Sequence, residues 1–546
     1  MRTRSPLIFT LIGLGCLMLG IGLLMSAQPA IASEPATVPA QGVAQGGTAD
    51  HSQFEVLQGP FASGPEVTAA CLTCHTEAAQ QIMRTTHWTW EQAVGDQQLG
   101  KNNVINNFCI AIPSNEPRCT SCHIGYGYKD KTFDFTKETN VDCLVCHDTT
   151  GTYKKFPPGA GHPAYEPREF PAGSGKIWNP PDLALVAQNV GKTSRATCGA
   201  CHFSGGGGDA VKHGDLDTSL LKPSRELDVH MGVDGLNFTC ATCHNAVEHY
   251  IAGGRYVMQA KDTHGIDVPG RDDQSRASCE SCHGLAPHTT DANLNNHVER
   301  VACETCHIPA FARGDQATKM WWDWSAAGRL NEEGKPFKIK NDEGYDIYDS
   351  QKGEFTWERN VVPEYVWFNG EIEYTVVGSK IDPTQTVVIN ALKGSPDDGK
   401  SRIWPVKAFR ARQPYDLNTN LLIVPNLFPN SPEDKEAYWR SFDWIAASRT
   451  GMETVNLPFS GEIAFVDSIM YWPQVHMVAP KEKALECEAC HSPNGRLAAL
   501  TDFYMPGRLQ HEALNTFGSI LIGIVLVGVL SHGTLRLIMR KNSKKS

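Results

Sequence analysis

The sequence predicts a mainly α protein with extensive loops, which carries an inserted, partly β subdomain and a C-terminal transmembrane helix. Three observations lead to this class: a cysteine motif that recurs eight times, a long stretch without cysteine (311–480), and an uncharged apolar segment close to the end of the chain. The formal net charge is −11, and no basic stripe or nucleic-acid motif is present. A nucleic-acid partner is therefore excluded.

The recurring motif is Cys-x-x-Cys-His, and it begins at Cys71, Cys119, Cys143, Cys198, Cys240, Cys279, Cys303 and Cys487. In c-type cytochromes the two thiols of such a pentad bind the haem vinyl groups and the histidine binds the iron. Zinc sites also use cysteine pairs, but they need two pairs for each metal and no histidine fixed in fifth place. The motif therefore predicts eight covalently bound haems c.

The residues predicted to hold these haems are the cysteines and histidines of the pentads: Cys71, Cys74, His75, Cys119, Cys122, His123, Cys143, Cys146, His147, Cys198, Cys201, His202, Cys240, Cys243, His244, Cys279, Cys282, His283, Cys303, Cys306, His307, Cys487, Cys490 and His491. Sixteen of the eighteen cysteines lie in pentads, and the other two are Cys16 and Cys109. No disulfide framework is expected.

The N-terminus, residues 1–32, has the features of a secretory signal. Two arginines precede an apolar run from Leu7 to Met25, and Ala30-Ile31-Ala32 is a small-residue cleavage site. The run is long for a signal, so an uncleaved anchor is the alternative. A secreted body agrees with haem c, which is attached outside the cytoplasm.

Residues 511–537 are predicted to form a transmembrane helix. The segment 514–535 has no formal charge and is long enough to cross about 30 Å of hydrocarbon. Since basic residues follow at once, the tail 538–546 is predicted to be cytoplasmic and the body to lie at the periplasmic face of the inner membrane. A buried core helix fits poorly with this basic tail. His532 inside the segment is either interfacial or a ligand for a haem b in a membrane partner.

The remaining chain is divided into four parts. Residues 33–65 are rich in Ala, Gly, Gln and Pro and are predicted to be a flexible leader. Residues 66–310 carry seven pentads and are predicted to form a haem core of short helices and loops. In the cysteine-free insertion, 311–480, a hairpin is predicted at Asn369-Gly370, and the aromatic clusters either pack or form a binding face. Residues 481–510 contain the eighth pentad.

Twelve histidines lie outside the pentads and can supply second iron ligands. Electron-transfer haems are usually capped by a second histidine. His51 is set aside because it lies in the leader, and His511 and His532 because they flank or enter the membrane. His162, in a Gly/Pro loop, is the weakest of the remaining nine. The predicted second ligands are His87, His213, His230, His249, His264, His288, His297 and His476.

A run of four glycines follows the fourth pentad, and Asp209 and Lys212 come directly after it. Glycines allow the backbone to approach a porphyrin or a ligand closely. The two polar residues are three apart, so both can point to one side of a helical turn. A lysine binds iron only as the free amine, and deprotonation at pH 7 costs about 4.6 kcal/mol from a pKa near 10.4. The alternative is a surface lysine that pairs with Asp209 or Asp215.

The pentads, together with GGGGDAVKHGDLD (205–217), VDCLVCHDTTGTYKK (141–155) and CESCHGLAPH…LNNH…VACETCHIPAFAR (279–313), resemble the octahaem tetrathionate reductases. The resemblance implies one haem with an ordinary pentad that is capped by lysine, with a cysteine and an aspartate in its pocket. It assigns these roles to Lys212, Cys109 and Asp209, and it identifies the haem as the second one, held by His123. By spacing alone, Cys109 is equally a small buried hydrophobe.

The resemblance implies a reductase of tetrathionate, with nitrite and hydroxylamine as further substrates. The Cys-x-x-Cys-Lys pentad of the pentahaem nitrite reductases is absent. The transmembrane segment departs from the soluble family pattern and suggests a quinol-linked or cytochrome electron donor. Two alternatives stay open: an enzyme that oxidises hydroxylamine, and a conduit from the quinol pool without a substrate. A conduit predicts that every haem has two fixed ligands, whereas an enzyme predicts one exchangeable ligand.

Overall fold

The computed structural model describes residues 49–267, 277–431, 433–508 and 512–542. The predicted signal peptide, the first half of the leader, Cys16 and His511 lie outside these residues.

The helices of the described residues are short, except for the last. In chain order they are α1 (Gly64–Leu72), α2 (Ala78–Met83), α3 (Thr86–Thr89), α4 (Leu144–His147), α5 (Leu183–Gln188), α6 (Arg195–His202), α7 (Cys240–Cys243), α8 (Glu280–His283), α9 (Ala292–His297), α10 (Cys303–His307), α11 (Tyr438–Ser441), α12 (Trp444–Thr454), α13 (Cys487–Cys490) and α14 (Glu512–Asn542).

Most pentads lie on a single helical turn. The second pentad forms a 3₁₀ turn, Cys119–Cys122, and the fifth, seventh and eighth begin α7, α10 and α13. Two cysteines three residues apart lie on the same side of such a turn. Both thiols of a pentad are therefore presented together to one bound group.

The strands of the described residues are β1 (Gln92–Val94), β2 (Gln97–Leu99), β3 (Arg168–Glu169), β4 (Ile177–Trp178), β5 (Ala246–Val247), β6 (Tyr250–Ile251), β7 (Thr318–Asp323), β8 (Lys338–Lys340), β9 (Asp346–Asp349), β10 (Gly353–Glu358), β11 (Glu364–Phe368), β12 (Ile372–Tyr374), β13 (Val387–Leu392), β14 (Arg402–Asp416), β15 (Leu421–Leu422) and β16 (Ile463–Pro473).

Strands β7 to β16 form one ten-stranded mixed sheet, which lies inside the range predicted as the insertion. Its order is β12-β13-β16-β14-β7-β10-β9-β8, and β11 and β15 pair with β14. β13 and β16 are parallel, as are β14 and β7, and the other pairs are antiparallel. The prediction of a mainly α protein is therefore only partly confirmed, because this sheet is the largest regular unit of the body.

The centre of the sheet is the long strand β14, which is buried along almost its whole length. Its pairing with β16 runs from Val406, opposite Pro473, to Asp416, opposite Ile463. Its residues Phe409 and Ala411 belong to a core that also includes Trp322 and Trp324. This aromatic cluster of the insertion is thus part of the packing of the sheet.

The predicted hairpin at Asn369-Gly370 does not form. β11 precedes this turn and pairs with β14, whereas β12 follows it and pairs with β13. Gly370 has a positive φ of 97°, which favours glycine, so the turn itself is present. The two strands that this turn connects, β11 and β12, therefore pair with different partners and not with each other.

The N-terminal part of the body is more ordered than the composition predicted. Residues 33–65 were expected to be flexible, yet His51–Gln53 and Glu55–Leu57 form 3₁₀ turns. Asp50 caps the first turn, and Leu57 packs into a cluster with Val67 and Val186. Burial of Leu57 fixes this segment against α1 and α5.

Helix α14 has 31 residues and begins close to the predicted transmembrane segment. Its part Ala513–Arg540 is long and apolar enough to cross a membrane, with a mean hydropathy of 2.2. Its large apolar side chains are exposed to the surroundings. Such a surface on a 31-residue helix is suited to lipid rather than water.

Candidate haem sites and catalytic site

Seven of the eight pentad histidines lie opposite a second histidine. The distances between ring centres are 6.3 Å for His75–His51, 6.4 Å for His147–His249, 6.1 Å for His202–His87, 6.3 Å for His244–His476, 6.0 Å for His283–His230, 6.2 Å for His307–His288 and 5.9 Å for His491–His297.

These distances fit two imidazoles that share one metal ion. An imidazole nitrogen lies about 2.1 Å from a metal such as zinc and roughly 1 Å from its own ring centre, so the two ring centres stand about 6 Å apart. Nδ1 of His147, His244 and His491 hydrogen bonds to a backbone carbonyl at 2.8 to 3.0 Å. Nε2 of each ring is then the nitrogen available to iron, as expected of metal-bound histidines. The pairs therefore fit haem iron with two axial histidines.

Burial keeps several of these imidazoles neutral, the form that carries a free electron pair. It lowers the pKa of His87 to about 4, and the pKa of His202 lies well below the ordinary value. His476 behaves differently. Although burial opposes it, the hydrogen bond to the Asp215 carboxylate raises the pKa of His476. Asp215 Oδ2 also accepts hydrogen bonds from the backbone N–H of Val475 and of His476, and it thus orients this ring.

Six of the predicted second ligands are in these pairs, and two are placed elsewhere. The ring of His213 packs on Trp472 at 4.6 Å, and His264 lies 3.4 Å from the Asp262 carboxylate. His162, the weakest candidate, stacks on Tyr126 and hydrogen bonds to Tyr165. His213 and His264 therefore belong to none of the seven histidine pairs described above, and their predicted role as iron ligands stays a prediction.

His51 was missed, although it lies opposite His75. It was set aside because the surrounding residues have the composition of a linker. No local sequence signal distinguishes it, because its position depends on the packing of Leu57 rather than on the residues around it.

His123, of the second pentad, is the exception within the described residues. It is fully buried among aromatic rings, those of Trp88, Trp90, Tyr128 and Phe133 lying 5.1 to 5.3 Å away. Its Nδ1 accepts a hydrogen bond from the N–H of Gly125 at 3.0 Å, and its Nε2 lies 2.6 Å from the carbonyl oxygen of Trp88. Both nitrogens are thus occupied. The sequence assigns this imidazole to the iron of the second haem, and in the structure its Nε2 contacts a backbone carbonyl.

Lys212 lies where the second and fourth pentads meet. The sulfur atoms of Cys122 and Cys201 lie close to each other, and Lys212 lies near both. Burial, together with the nearby Lys101 and Arg255, lowers the pKa of Lys212 to about 7. A substantial share of the amine is then unprotonated at neutral pH, which is the form that binds a metal.

The glycine run connects Lys212 with Cys109. A Cβ on Gly205 would stand 3.1 Å from Lys212 Nζ, and a Cβ on Gly207 would stand 3.4 Å from Cys109 Sγ. The run therefore packs between the predicted lysine and the predicted cysteine. The glycines thus allow the backbone to lie close to both side chains; their predicted approach to a porphyrin or a ligand stays a prediction.

Cys109 is a half-buried thiol next to the insertion. Burial raises the pKa of Cys109, while Lys352, Arg118 and Lys319 lie close enough to oppose this. Lys319 is itself buried against the rings of Trp322 and Phe355. The thiol thus has cationic neighbours but is protonated at neutral pH.

Asp209 does not pair with Lys212 as its spacing suggested. Its carboxylate accepts hydrogen bonds from the backbone N–H of Thr218, at 3.1 Å, and from the Thr218 hydroxyl. Asp209 thus closes the loop that contains Lys212. Its contribution to the site is to the shape of this loop.

A buried polar network beside the second pentad was missed. The Asp142 carboxylate accepts hydrogen bonds from Tyr126 at 2.7 Å and Tyr153 at 2.9 Å, and it forms an ion pair with Lys155 at 3.1 Å. Lys155 also donates to the carbonyl oxygen of His123. The network fixes the backbone of the second pentad. The sequence gives only a weak signal for it, the residues that flank the third pentad.

Cysteine sulfur atoms of different pentads lie close together in pairs. Besides Cys122 and Cys201, these contacts join Cys71 with Cys143, Cys198 with Cys240, and Cys279 with Cys303. Groups attached to these thiols lie side by side. This arrangement suits electron transfer between neighbouring haems.

Two buried donors near Lys212 have no hydrogen-bond partner within the described residues. They are Nη2 of Arg255 and Nε1 of Trp472, and the guanidinium of Arg255 lies 3.8 Å from the Trp472 ring centre. Unpaired buried donors destabilise a protein unless a bound group accepts from them. A carboxylate such as a haem propionate, or an anionic substrate, has the oxygens required.

Comparison with known proteins relates this chain to c-type cytochromes. Residues 319–494 match the family described as "Cytochrome c bacterial", and residues 70–148 match "Cytochrome c554 and c-prime". The solved structure of an octaheme cytochrome c from Shewanella oneidensis is 43% identical, with a TM-score of 0.70; the match covers 82% of this chain and 95% of that one. No curated protein sequence matches this chain significantly.

Proposed function

The chain belongs to the octahaem cytochrome c family, that of the tetrathionate reductases, and on this basis we propose that it is a multihaem reductase with its catalytic site at the second of eight haems. Its substrates are tetrathionate and, at the same site, nitrite or hydroxylamine. The other seven haems have paired histidines and relay electrons. The enzyme acts at the periplasmic face of the inner membrane, held by α14, with a quinol-linked or cytochrome donor.

One observation supports this assignment above the others. Seven pentad histidines lie opposite a second histidine, whereas in the described residues His123 does not, and Lys212 lies beside its pentad. A haem iron held between two histidines would have no free position for a substrate. An amine whose pKa lies near 7 would readily take up a proton and give way to a substrate. The second haem is therefore the one at which a substrate binds.

The bound haem supplies an iron that accepts ligands and passes on electrons. The protein supplies charge and shape around it. Lys101 and Arg255 make the surroundings of Lys212 cationic, and the unpaired donors of Arg255 and Trp472 are available to an anion. Tetrathionate and nitrite are anions, so this environment favours their binding.

For tetrathionate, we assign the covalent step to Cys109. Its thiolate attacks one of the two central sulfurs, so an S–S bond forms between Sγ of Cys109 and that sulfur, the central S–S bond of tetrathionate breaks and one thiosulfate leaves. Two electrons supplied through the bound haems would then cleave the bond between Sγ and the substrate sulfur, which releases the second thiosulfate and restores the thiolate. Nitrite and hydroxylamine contain no S–S bond and do not need this residue.

Low-temperature EPR of the purified protein, with and without tetrathionate, nitrite or hydroxylamine, tests the proposal. One haem signal is expected to change with substrate while those of the paired-histidine haems stay constant. If no signal responds to any substrate, the chain is a conduit without a substrate of this type. Net oxidation of hydroxylamine with no reduction of tetrathionate favours the hydroxylamine-oxidising alternative.

A further inference from the structure

Five consecutive backbone carbonyls around Lys212 accept hydrogen bonds from the inserted domain. Thr318 Oγ1 donates to the carbonyl of Ala210 at 2.7 Å, and Lys407 Nζ donates to those of Val211 at 2.9 Å and Lys212 at 3.2 Å. Gln474 Nε2 donates to the carbonyl of His213 at 3.1 Å, and the N–H of Ala312 to that of Gly214 at 2.7 Å. We call these four donor residues the carbonyl clamp. The segment is neither helix nor strand, so its carbonyls depend on such outside donors.

Lys407 is the centre of the clamp. It lies on β14, and its side chain is fully buried. Its Nζ has three acceptors, namely the carbonyls of Val211 and Lys212 and the hydroxyl of Thr318, which lies 2.7 Å away. The Thr318 hydroxyl in turn donates a hydrogen bond to the carbonyl of Ala210. Three donors and three acceptors therefore match.

A lysine in this position is costly. Burial of an amine in a protein interior is unfavourable unless it is fully hydrogen bonded, and an apolar side chain of the same length would fill the same space without that cost. No ion pair of Lys407 occurs among the described residues; its hydrogen bonds go to uncharged oxygens. The packing of β14 does not require an amine here, so its presence points to the backbone that it holds.

The backbone that Lys407 holds is strained at its start. Ala210 has a φ of +56°, in the left-handed region that residues other than glycine rarely adopt. Gly214, at the other end, has a φ of +89°, and a Cβ there would stand 3.2 Å from Lys407 Cδ. A segment bent at both ends keeps its form only where its surroundings fix it.

We propose that Lys407 and Thr318 are positioning residues, which set the main chain of Lys212 so that its amine stands at the second pentad. The insertion then contributes to the site, because Lys407 and Thr318 on its sheet hold the loop that contains Lys212. The inference rests on the proposed function of Lys212. Neither Lys407 nor Thr318 touches the substrate in this role; both act through the backbone.

Two substitutions and a matched control test the proposal in the full-length, haem-loaded protein. Lys407→Met keeps the length of the side chain but removes its donors, and Thr318→Val removes the hydroxyl while keeping the shape. Thr318→Ser keeps the hydroxyl and is the control. The readouts are the haem content, the EPR spectrum and the turnover of hydroxylamine.

All three variants are expected to bind the full number of haems, with unchanged signals from the paired-histidine haems. In Lys407→Met and Thr318→Val the signal of the remaining haem is expected to split between lysine-bound and exchanged forms, with turnover about tenfold or more below the parent, because small misplacements at a reacting centre have large effects. Thr318→Ser is expected to keep the parent spectrum and at least half of the turnover.

The proposal is overturned if Thr318→Val keeps the parent spectrum and turnover while Lys212→Ala alters both. A silent Lys212→Ala would instead contradict the proposed function, whatever the clamp variants do. If Lys407→Met does not accumulate with haem, the pair Thr318→Val and Thr318→Ser decides. Equal loss in both members of this pair also overturns the proposal, because the hydroxyl would then not be the cause.

Discussion

The imidazole rings of His51 and His75 lie 6.3 Å apart and within 17° of parallel. His75 belongs to the first pentad. His51 lies 24 positions before His75, on a 3₁₀ turn that Asp50 caps. The two rings are placed to share one iron. The N-terminal segment of the body is therefore part of the first haem site.

Replacement of His51 by alanine is expected to open the first haem. The protein should still bind its full number of haems, because attachment needs only the pentad, but one low-spin signal should become high-spin or water-bound. EPR and the visible absorption spectrum measure this change. His162→Ala is the matched control, since His162 stacks on Tyr126 and lies opposite no pentad histidine. A spectrum that changes in the control but not in His51→Ala would contradict the assignment.

Lys212→Ala is expected to change the spectrum of one haem from low-spin to high-spin and to lower turnover about tenfold or more, since the ligand that orders the site is lost. Lys212→His is expected to give that haem two fixed ligands and to abolish turnover. Haem content serves as the control for folding. An unchanged spectrum in Lys212→Ala would show that this lysine is not an iron ligand.

Cys109→Ser is expected to abolish turnover of tetrathionate and to spare most turnover of hydroxylamine. The raised pKa of Cys109 adds a pH dependence. The thiolate fraction is below that of an ordinary cysteine at neutral pH and grows as pH rises towards this pKa, so tetrathionate turnover should increase with pH above about 8.5, the ordinary value. Steady-state rates between pH 6 and 10 measure this. Equal loss with both substrates would indicate a structural role.

A stop codon after Arg508 is expected to release a haem-loaded protein into the soluble periplasmic fraction. This end point keeps one contact of the eighth pentad, His491 Nδ1 with the carbonyl of Pro506 at 3.0 Å, and one contact of the turn that follows it, Arg508 Nη2 with the carbonyl of Leu497 at 3.0 Å. Fractionation of cells, followed by staining for haem, measures the distribution. Retention in washed membranes would mean that another segment or a partner holds the protein.

A pyridine haemochrome assay on the purified protein is expected to return eight haems for each chain. The basis is the eight pentads, seven of which have a histidine pair at a suitable distance. Mass spectrometry of the intact protein is the independent check. A value of six or fewer in fully matured protein would contradict the count.

The candidate haem sites can largely be identified from the sequence because the attachment motif is local. Two cysteines and a histidine within five residues form a complete signature, and the pentads stand on helical turns as that spacing requires. Second ligands are different, since they come from distant segments. His51 lies in a linker-like sequence, and His213 is next to Lys212 but packs on Trp472 at 4.6 Å. Only the fold decides which histidine lies opposite which pentad.

The arrangement of the candidate catalytic site was predictable in part for the same reason. The glycine run is a local signal, and it does lie between Lys212 and Cys109. The pairing of Asp209 with Thr218 was not predictable, because helical spacing suggested Lys212 and the loop is not helical. Lys407 was not predictable either. It lies in a strand almost 200 residues further along the chain, and its importance comes from three hydrogen bonds that no motif encodes.

The link between Arg508 and helix α14 has a mechanical consequence. The helix begins at Glu512, and four residues span at most about 14 Å when fully extended. Arg508 is bound to the turn after the eighth pentad, so with α14 in a bilayer this haem site stays close to the lipid surface. Its search for a redox partner in the same membrane is then two-dimensional. The rate of encounter follows the lateral density of the partner and not its concentration in the periplasm, as expected for a tethered pair.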